Sequence, residues 1–292
     1  MDTATRQQAT IASTVSVSGF GFWSGQDVTL EFHPAEPDRG ITFVRVDLPG
    51  QPTISAEVRH RVQGPRRTTL VDNGCAVEMV EHVLAALAGL QIDNCEIHVN
   101  RAEMPGCDGS SLAFTKMLNA AGKVSQMSTR SRITVAQPIR VGDDKAWIEA
   151  RPNSDGRYRL TFDLDYPSEP AIGAQTFTYE HSNDSFETEI APARTFVLAA
   201  EAEALQSKGL GRRVTNQDVL VFDQAGPMDN TLRFPNECAR HKALDMIGDF
   251  SLAGADLVGD FVANRSGHLL NSQMVFALLS QAANNSIHRR SA

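Results

Sequence analysis

Over the first sixty residues, hydrophobic and polar positions alternate with a period of two. TIASTVSVSG, VTLEF and ITFVRV set β-branched residues at alternate positions, and Gly and Pro clusters separate them. Such spacing turns side chains to opposite faces and predicts several strands within residues 9–62. The period then becomes helical over 77–90 (VEMVEHVLAALAGL). A strand, CEIHV, follows, and a Pro/Gly turn from Pro105 to Gly109 opens a second helix near Ser111. From Ala120 to Ser131 the composition shifts to Gly, Ser, Lys and Gln, which suits a connection between domains.

The second half repeats this order. Strand patterns at RITVAQPIRV, AWIEARP and YRLTFDLDY precede a helical pattern around 237–253, a strand LVGDFV, a Gly-containing turn and a helix from about Leu270. The chain therefore reads as a diverged duplication, with units at 1–125 and 126–292. His82 and His241 precede Gly109 and Gly267 by nearly equal distances, so two facing halves would bring both to one interface. One adjusted gap also produces such a match. Residues 196–222 fit no repeat and read as an insertion, mixing Leu198, Leu205, Leu210 and Val214 with Arg212 and Arg213. The polar tail from Asn284 is expected to be disordered.

At 292 residues and 41% hydrophobic, the chain can bury two cores. It contains no run near the roughly 20 apolar residues of a membrane span, and its N-terminus lacks the apolar core of a leader. A cytoplasmic monomer without membrane insertion is expected. A formal charge of −8 argues against a nucleic-acid partner. Cys75, Cys95, Cys107 and Cys238 lack C-x-x-C spacing and read as small buried hydrophobes.

His241 and Asp245 stand four apart on a helix, one turn from each other, and Asp249 continues the stripe. Nitrogen and oxygen ligands without sulfur fit a catalytic zinc, which commonly takes three protein ligands. His82 becomes the third if the halves face each other. Glu81 beside it can then take a proton from a water acidified by the metal. A His–Asp pair at this spacing also occurs as a solvated or capped pair. The chain has no H-E-x-x-H, and the inverted H-x-x-E-H fails at Glu78, so a zinc peptidase is disfavoured. His268, at a loop-to-helix entry, could act as an imidazolium that stabilises an oxyanion and protonates a leaving amine, with Asp249 holding its charge. It reads equally as a surface histidine. His33, His60, His98, His181 and His288 have no carboxylate at helical spacing and read as structural or solvated.

Glu81-His82-x-x-Ala85-Ala86-Leu87-x-Gly89-Leu90-x-Ile92-Asp93-Asn94, Asp108-Gly109-Ser110, Ala193-Arg194-Thr195-Phe196, Arg240-His241-Lys242-x-Leu244-Asp245-x-Ile247-Gly248-Asp249 and Ser266-Gly267-His268 together carry a resemblance. From about Ile11 to Leu279 the chain resembles the LpxC family, the UDP-3-O-acyl-N-acetylglucosamine deacetylases of lipid A biosynthesis. The resemblance implies an α+β fold: two duplicated two-layer sandwich domains packed face to face, with the active site at their interface. It implies Zn2+ on His82, His241 and Asp245, Glu81 as general base, His268 as electrostatic or acid partner supported by Asp249, and Thr195 beside the oxyanion. Phe196 and Lys242 would contact substrate, and the insert, with Leu205 and Leu210, would line a passage for the acyl chain.

The chain departs from the family where Gly21-Phe22-Trp23-Ser24-Gly25 replaces the usual Gly-Leu-His-Ser-Gly. Arg66, Arg67, Arg212 and Arg213 are additional basic residues, suited either to phosphate or to a solvated surface, and Lys145 is a further candidate for the diphosphate. These departures keep open a deacetylase of another acetylated amino sugar. A catalytically idle sugar-nucleotide-binding protein is the other alternative, although a pure binder has no need of Glu81.

Overall fold

The computed structural model describes residues 5–290; residues 1–4 and the last two residues of the expected tail lie outside the described residues. The first half runs β1 (Gln7–Ile11), β2 (Val15–Phe20), β3 (Asp27–Pro34), β4 (Ile41–Arg45), β5 (Thr53–Ser55), β6 (Arg61–Val62), β7 (Thr69–Asp72), β8 (Cys75–Glu78), α1 (Glu81–Gly89), β9 (Cys95–Val99), α2 (Leu112–Ala121). The second continues with β10 (Lys123–Thr129), β11 (Arg132–Thr134), β12 (Ile139–Gly142), β13 (Trp147–Arg151), β14 (Tyr158–Tyr166), β15 (Gly173–Glu180), α3 (Asn183–Ser185), β16 (Phe196–Leu198), α4 (Ala199–Ser207), β17 (Leu220–Phe222), α5 (Glu237–Phe250), β18 (Asp256–Asn264) and α6 (His268–Arg290).

The fold is α+β, and its two main sheets share one topology. In the first, the order is β2-β3-β9-β4-β5, parallel only between β9 and β4. In the second it is β12-β13-β18-β14-β15, parallel along this order between β18 and β14, with β11 added parallel to β18. Each central strand, β9 or β18, is preceded by one helix and followed by another. Alternation decides which face of each strand is covered. In β3, Val28, Leu30 and Phe32 are buried while Thr29, Glu31 and His33 face outward. In β9, Cys95, Ile97 and Val99 are buried.

Helix α1 begins later than the apolar run suggests. Cys75–Glu78 pairs with β7 instead, and Met79, with φ of 61°, turns the chain out of that strand before the helix starts. Helix α1 is buried almost throughout, and burial of Val83, Leu84 and Leu87 contributes roughly 1.5–3 kcal/mol for each side chain. It packs on α5, where Gly248 permits close contact: a Cβ there would stand 2.1 Å from the Glu81 carbonyl oxygen. The loop after α1 and the start of β18 are joined by Arg6, whose guanidinium donates to Asp93 at 2.6 and 2.7 Å and to Asp256 at 2.7 and 2.8 Å.

Three expectations change. The Ala120–Ser131 connection contains a strand, β10, paired antiparallel with β1. The insertion carries a helix, α4, and a small parallel pair, β16 with β17. Helix α6 runs on to Arg290, where a disordered tail from Asn284 was expected; His288 is outside the residues whose side chains are described. Among the described residues, no helix is long and apolar enough to cross a membrane.

Candidate active site

The close approach of α1 and α5 sets the N-terminal turn of α1 against the stretch of α5 from His241 to Gly248. His82 and His241 meet edge to face, ring centroids 5.1 Å apart. Asp245 Oδ1 lies 3.5 Å from His82 Nε2 and 3.4 Å from His241 Nε2. One ligand atom from each of these three buried residues falls within 4.8 Å of the others. The donors fit a divalent metal. His241 Nδ1 is engaged by the Ala193 carbonyl at 3.2 Å, which leaves Nε2 as its free lone pair. Burial lowers the His241 pKa to about 3 against the pull of Asp245, so the ring is in the neutral form a metal requires. His82 Nδ1 is buried without a hydrogen-bond partner. Burial would raise the Asp245 carboxyl, but Lys242 and His241 overcome it and hold the group well below the usual range. Lys242 Nζ donates to Asp245 Oδ2 at 2.8 Å.

Glu81 and His268 line the same cavity as this cluster. Glu81 Oε2 accepts the Thr68 backbone N–H at 2.9 Å, and Oε1 stands 3.9 Å from His268 Nε2. Burial raises the Glu81 carboxyl, partly offset by His268 and His82. His268 enters at the first turn of α6, and its Nδ1 donates to Asp249 Oδ2 at 2.8 Å. Although burial disfavours the imidazolium, the Asp249 carboxylate and its hydrogen bond raise the His268 pKa to about 9. Asp249 is held by Thr68 Oγ1 at 2.5 Å and Asn271 Nδ2 at 2.8 Å.

A model of the family described as "LpxC: UDP-3-O-acyl N-acetylglycosamine deacetylase" matches residues 8–280 of the chain. The chain belongs to this family. Curated relatives named UDP-3-O-acyl-N-acetylglucosamine deacetylase include one from Thermosynechococcus vestitus, 38% identical over 94% of this chain and 94% of its own length. The relative from Geotalea uraniireducens is 37% identical over 94% of this chain and 89% of its own. That from Haemophilus influenzae is 37% identical, covering 94% and 90%.

In this LpxC-family chain the constellation opens into a cavity of about 730 Å3. Thr195, Phe196 and Lys242 line it together with His82, His241 and Asp245, and Leu205, Leu210 and Val214 of the insert add apolar lining with Val219, Val221 and Met228. Leu198 does not line it; its side chain packs against the main core. Thr195 is fixed at both backbone groups: its N–H donates to the Gly109 carbonyl at 2.8 Å and its carbonyl accepts from Leu220 N–H at 3.0 Å. Gly109, with φ of 78°, allows that approach, since a Cβ there would stand 2.6 Å from the Asp218 carbonyl oxygen.

Most of the added arginines are paired within the chain. Arg66 pairs with Glu201 of α4 at 2.7 Å and Arg67 with Glu78 at 2.7 Å while stacking on Trp23. Arg213 donates to the Gly25 carbonyl and to Asp27, both at 2.7 Å, and covers the Phe20 ring. The Arg66 and Arg213 contacts tie the insert to the first half. Arg212 is exposed. Lys145 sits in the exposed β12–β13 turn, outside the cavity lining. Trp23 lines the cavity, its backbone N–H donating to Glu103 at 2.7 Å. A second cavity, about 1030 Å3, lies at the opposite ends of α1 and α5, where Arg6, Asp93 and Asp256 pair.

Sequence reasoning missed Thr68 and Asn271. Asn271 was legible as the residue three after His268, on the same helical face as the Asp249 contact. Thr68 carries no local signal, since it reaches Asp249 from a loop 181 residues away in sequence.

Proposed function

We propose that this protein hydrolyses the acetamide of UDP-3-O-acyl-N-acetylglucosamine, giving acetate and the free amine, in lipid A biosynthesis. The observation that carries the reading is the convergence of Glu81, His268 and the His82/His241/Asp245 cluster at one end of a cavity whose other end is apolar. His82, His241 and Asp245 would hold one Zn2+, which when bound supplies Lewis-acid polarisation of the acetyl carbonyl and acidification of water. Glu81 takes the proton of the attacking water at Oε1, its other oxygen being fixed by Thr68. His268, as imidazolium, stabilises the oxyanion and then donates its Nε2 proton to the departing nitrogen. Asp249 keeps His268 charged and oriented through Nδ1. Thr195, fixed by Gly109 and Leu220, stands beside the oxyanion, and Phe196 and Lys242 contact the substrate.

The units are assigned to 1–125 and 126–292, and the protein is taken as a cytoplasmic monomer, with no nucleic-acid or membrane-inserted partner. Trp23 in the cavity wall favours one second reading, a deacetylase of a different acetylated amino sugar. The test is acetate release by zinc-loaded protein from UDP-3-O-acyl-N-acetylglucosamine. Absence of turnover on it, with turnover on another N-acetylated sugar, would replace the first reading by the second.

A further inference from the structure

We infer that the outer face of the first sheet carries a second divalent-metal site, formed by Glu31 and His33 of β3 and His98 of β9. The inference does not rest on the catalytic reading. Strand pairing sets Glu31 directly opposite His98 and His33 directly opposite Glu96, so two imidazoles and two carboxylates form a two-by-two array on one face. This face is the reverse of the one where Leu30, Phe32, Ile97 and Val99 pack into the core.

The contacts within the array have the arrangement a metal needs. The rings of His33 and His98 lie with centroids 4.1 Å apart. His33 Nε2 stands 3.3 Å from Glu31 Oε2, and its Nδ1 shares a hydrogen bond with the Thr14 hydroxyl at 3.3 Å, which selects Nε2 as the ligand nitrogen. One ligand atom each from Glu31, His33 and His98 falls within 4.8 Å of the others. Glu96 is placed differently: it lies 3.8 Å from His98 Nε2 and is engaged by Arg39 at 3.0 Å.

Two imidazoles and one carboxylate without thiolate select a borderline ion such as Zn2+, Ni2+ or Cu2+ over Mg2+ or Ca2+, which take oxygen ligands. The ion would cross-link β3 and β9, the central pair of the sheet. Because Glu31 is exposed and the histidines half-buried, this site fills after the enclosed one.

The test is equilibrium dialysis of the full chain against zinc chloride in several-fold excess, with metal counted by mass spectrometry. About two equivalents are expected in the unaltered protein, about one in His98→Ala and in His33→Gln, and in both variants a Tm that no longer rises with added zinc. Both variants keep their metal-free Tm, since the side chains lie outside the core. His82→Ala instead removes the other equivalent, so failure of one site is distinguishable from failure of the other. One equivalent in the unaltered protein that His82→Ala abolishes and His98→Ala leaves in place, or two in either His98→Ala or His33→Gln, overturns the inference and leaves the array as histidine–glutamate ion pairs.

Discussion

Gly248 and Glu81 touch through their backbones: a Cβ on Gly248 would stand 2.1 Å from the Glu81 carbonyl oxygen. That contact sets how closely α1 and α5 approach, and therefore whether His82 meets His241 and Asp245. In an ordinary helix, Gly→Ala stabilises by about 1 kcal/mol. Here the added methyl must push two buried helices apart, and overpacking costs about 1–3 kcal/mol. Gly248→Ala should therefore lower the denaturation midpoint and weaken zinc retention together. A midpoint that rises would show that the helices are not in contact there.

The proposed metal ligands and the proposed base are separable by substitution. His82→Ala should lose both zinc and turnover, because two remaining ligands do not hold the ion. Glu81→Gln should retain about one zinc while its turnover falls roughly 10²–10⁴-fold, the range for a positioned general base. Metal content and turnover measured on the same preparations decide it. Full activity in Glu81→Gln would move the base elsewhere.

Glu81 and His268, the base and acid of the proposed mechanism, titrate in opposite senses. Burial raises Glu81, so its base form is lost as pH falls through a value above the ordinary carboxylate range. Asp249 raises His268 to about 9 despite burial, so its acid form persists through neutrality and is lost as pH rises through that value. A bell-shaped kcat/KM profile should result, with its alkaline limb near 9. The limbs report the coupled site rather than single residues. Asp249→Asn removes the facing charge and should bring the alkaline limb down by about 1–3 units. A limb that stays in place would assign it to another group.

How much of this was legible in the sequence follows the range of the interactions. His241, Asp245 and Asp249 could be read together because helical spacing is local, and the repeat linked them to His82. The matching sheet orders explain why that repeat was visible. Thr68 was not legible, because only the folded chain brings its loop to Asp249. His33 and His98 were set aside because partners were sought at helical spacing, whereas both lie on strands, where carboxylates two residues away and across the pair are neighbours. The start of α1 was misjudged because Cys75–Glu78 is apolar enough to extend the helical run, and the strand there is fixed by its partner β7.

The insert makes the remaining prediction, since Leu205, Leu210 and Val214 contribute to the apolar wall while Leu198 is turned into the core. Phe22, Met79 and Val219 close the same region with a small apolar cluster shared between the insert and the first half. An acyl chain entering there leaves water, and each buried methylene contributes up to about 0.8 kcal/mol. Four methylenes then amount to about 3 kcal/mol, or roughly a hundredfold in kcat/KM when the binding energy is expressed in the transition state. UDP-N-acetylglucosamine, which lacks the chain, should be poorer than the acylated substrate by that factor. Leu205→Asp should narrow the difference by impairing only the acylated compound. The Arg213–Asp27 pair is exposed, and such pairs contribute only about 0–1 kcal/mol, so Arg213→Ala should change the ratio far less than Leu205→Asp. Equal kcat/KM for the two compounds on the unaltered enzyme would mean that no acyl passage operates, and would favour the second reading, in which Trp23 closes the cavity around a different amino sugar.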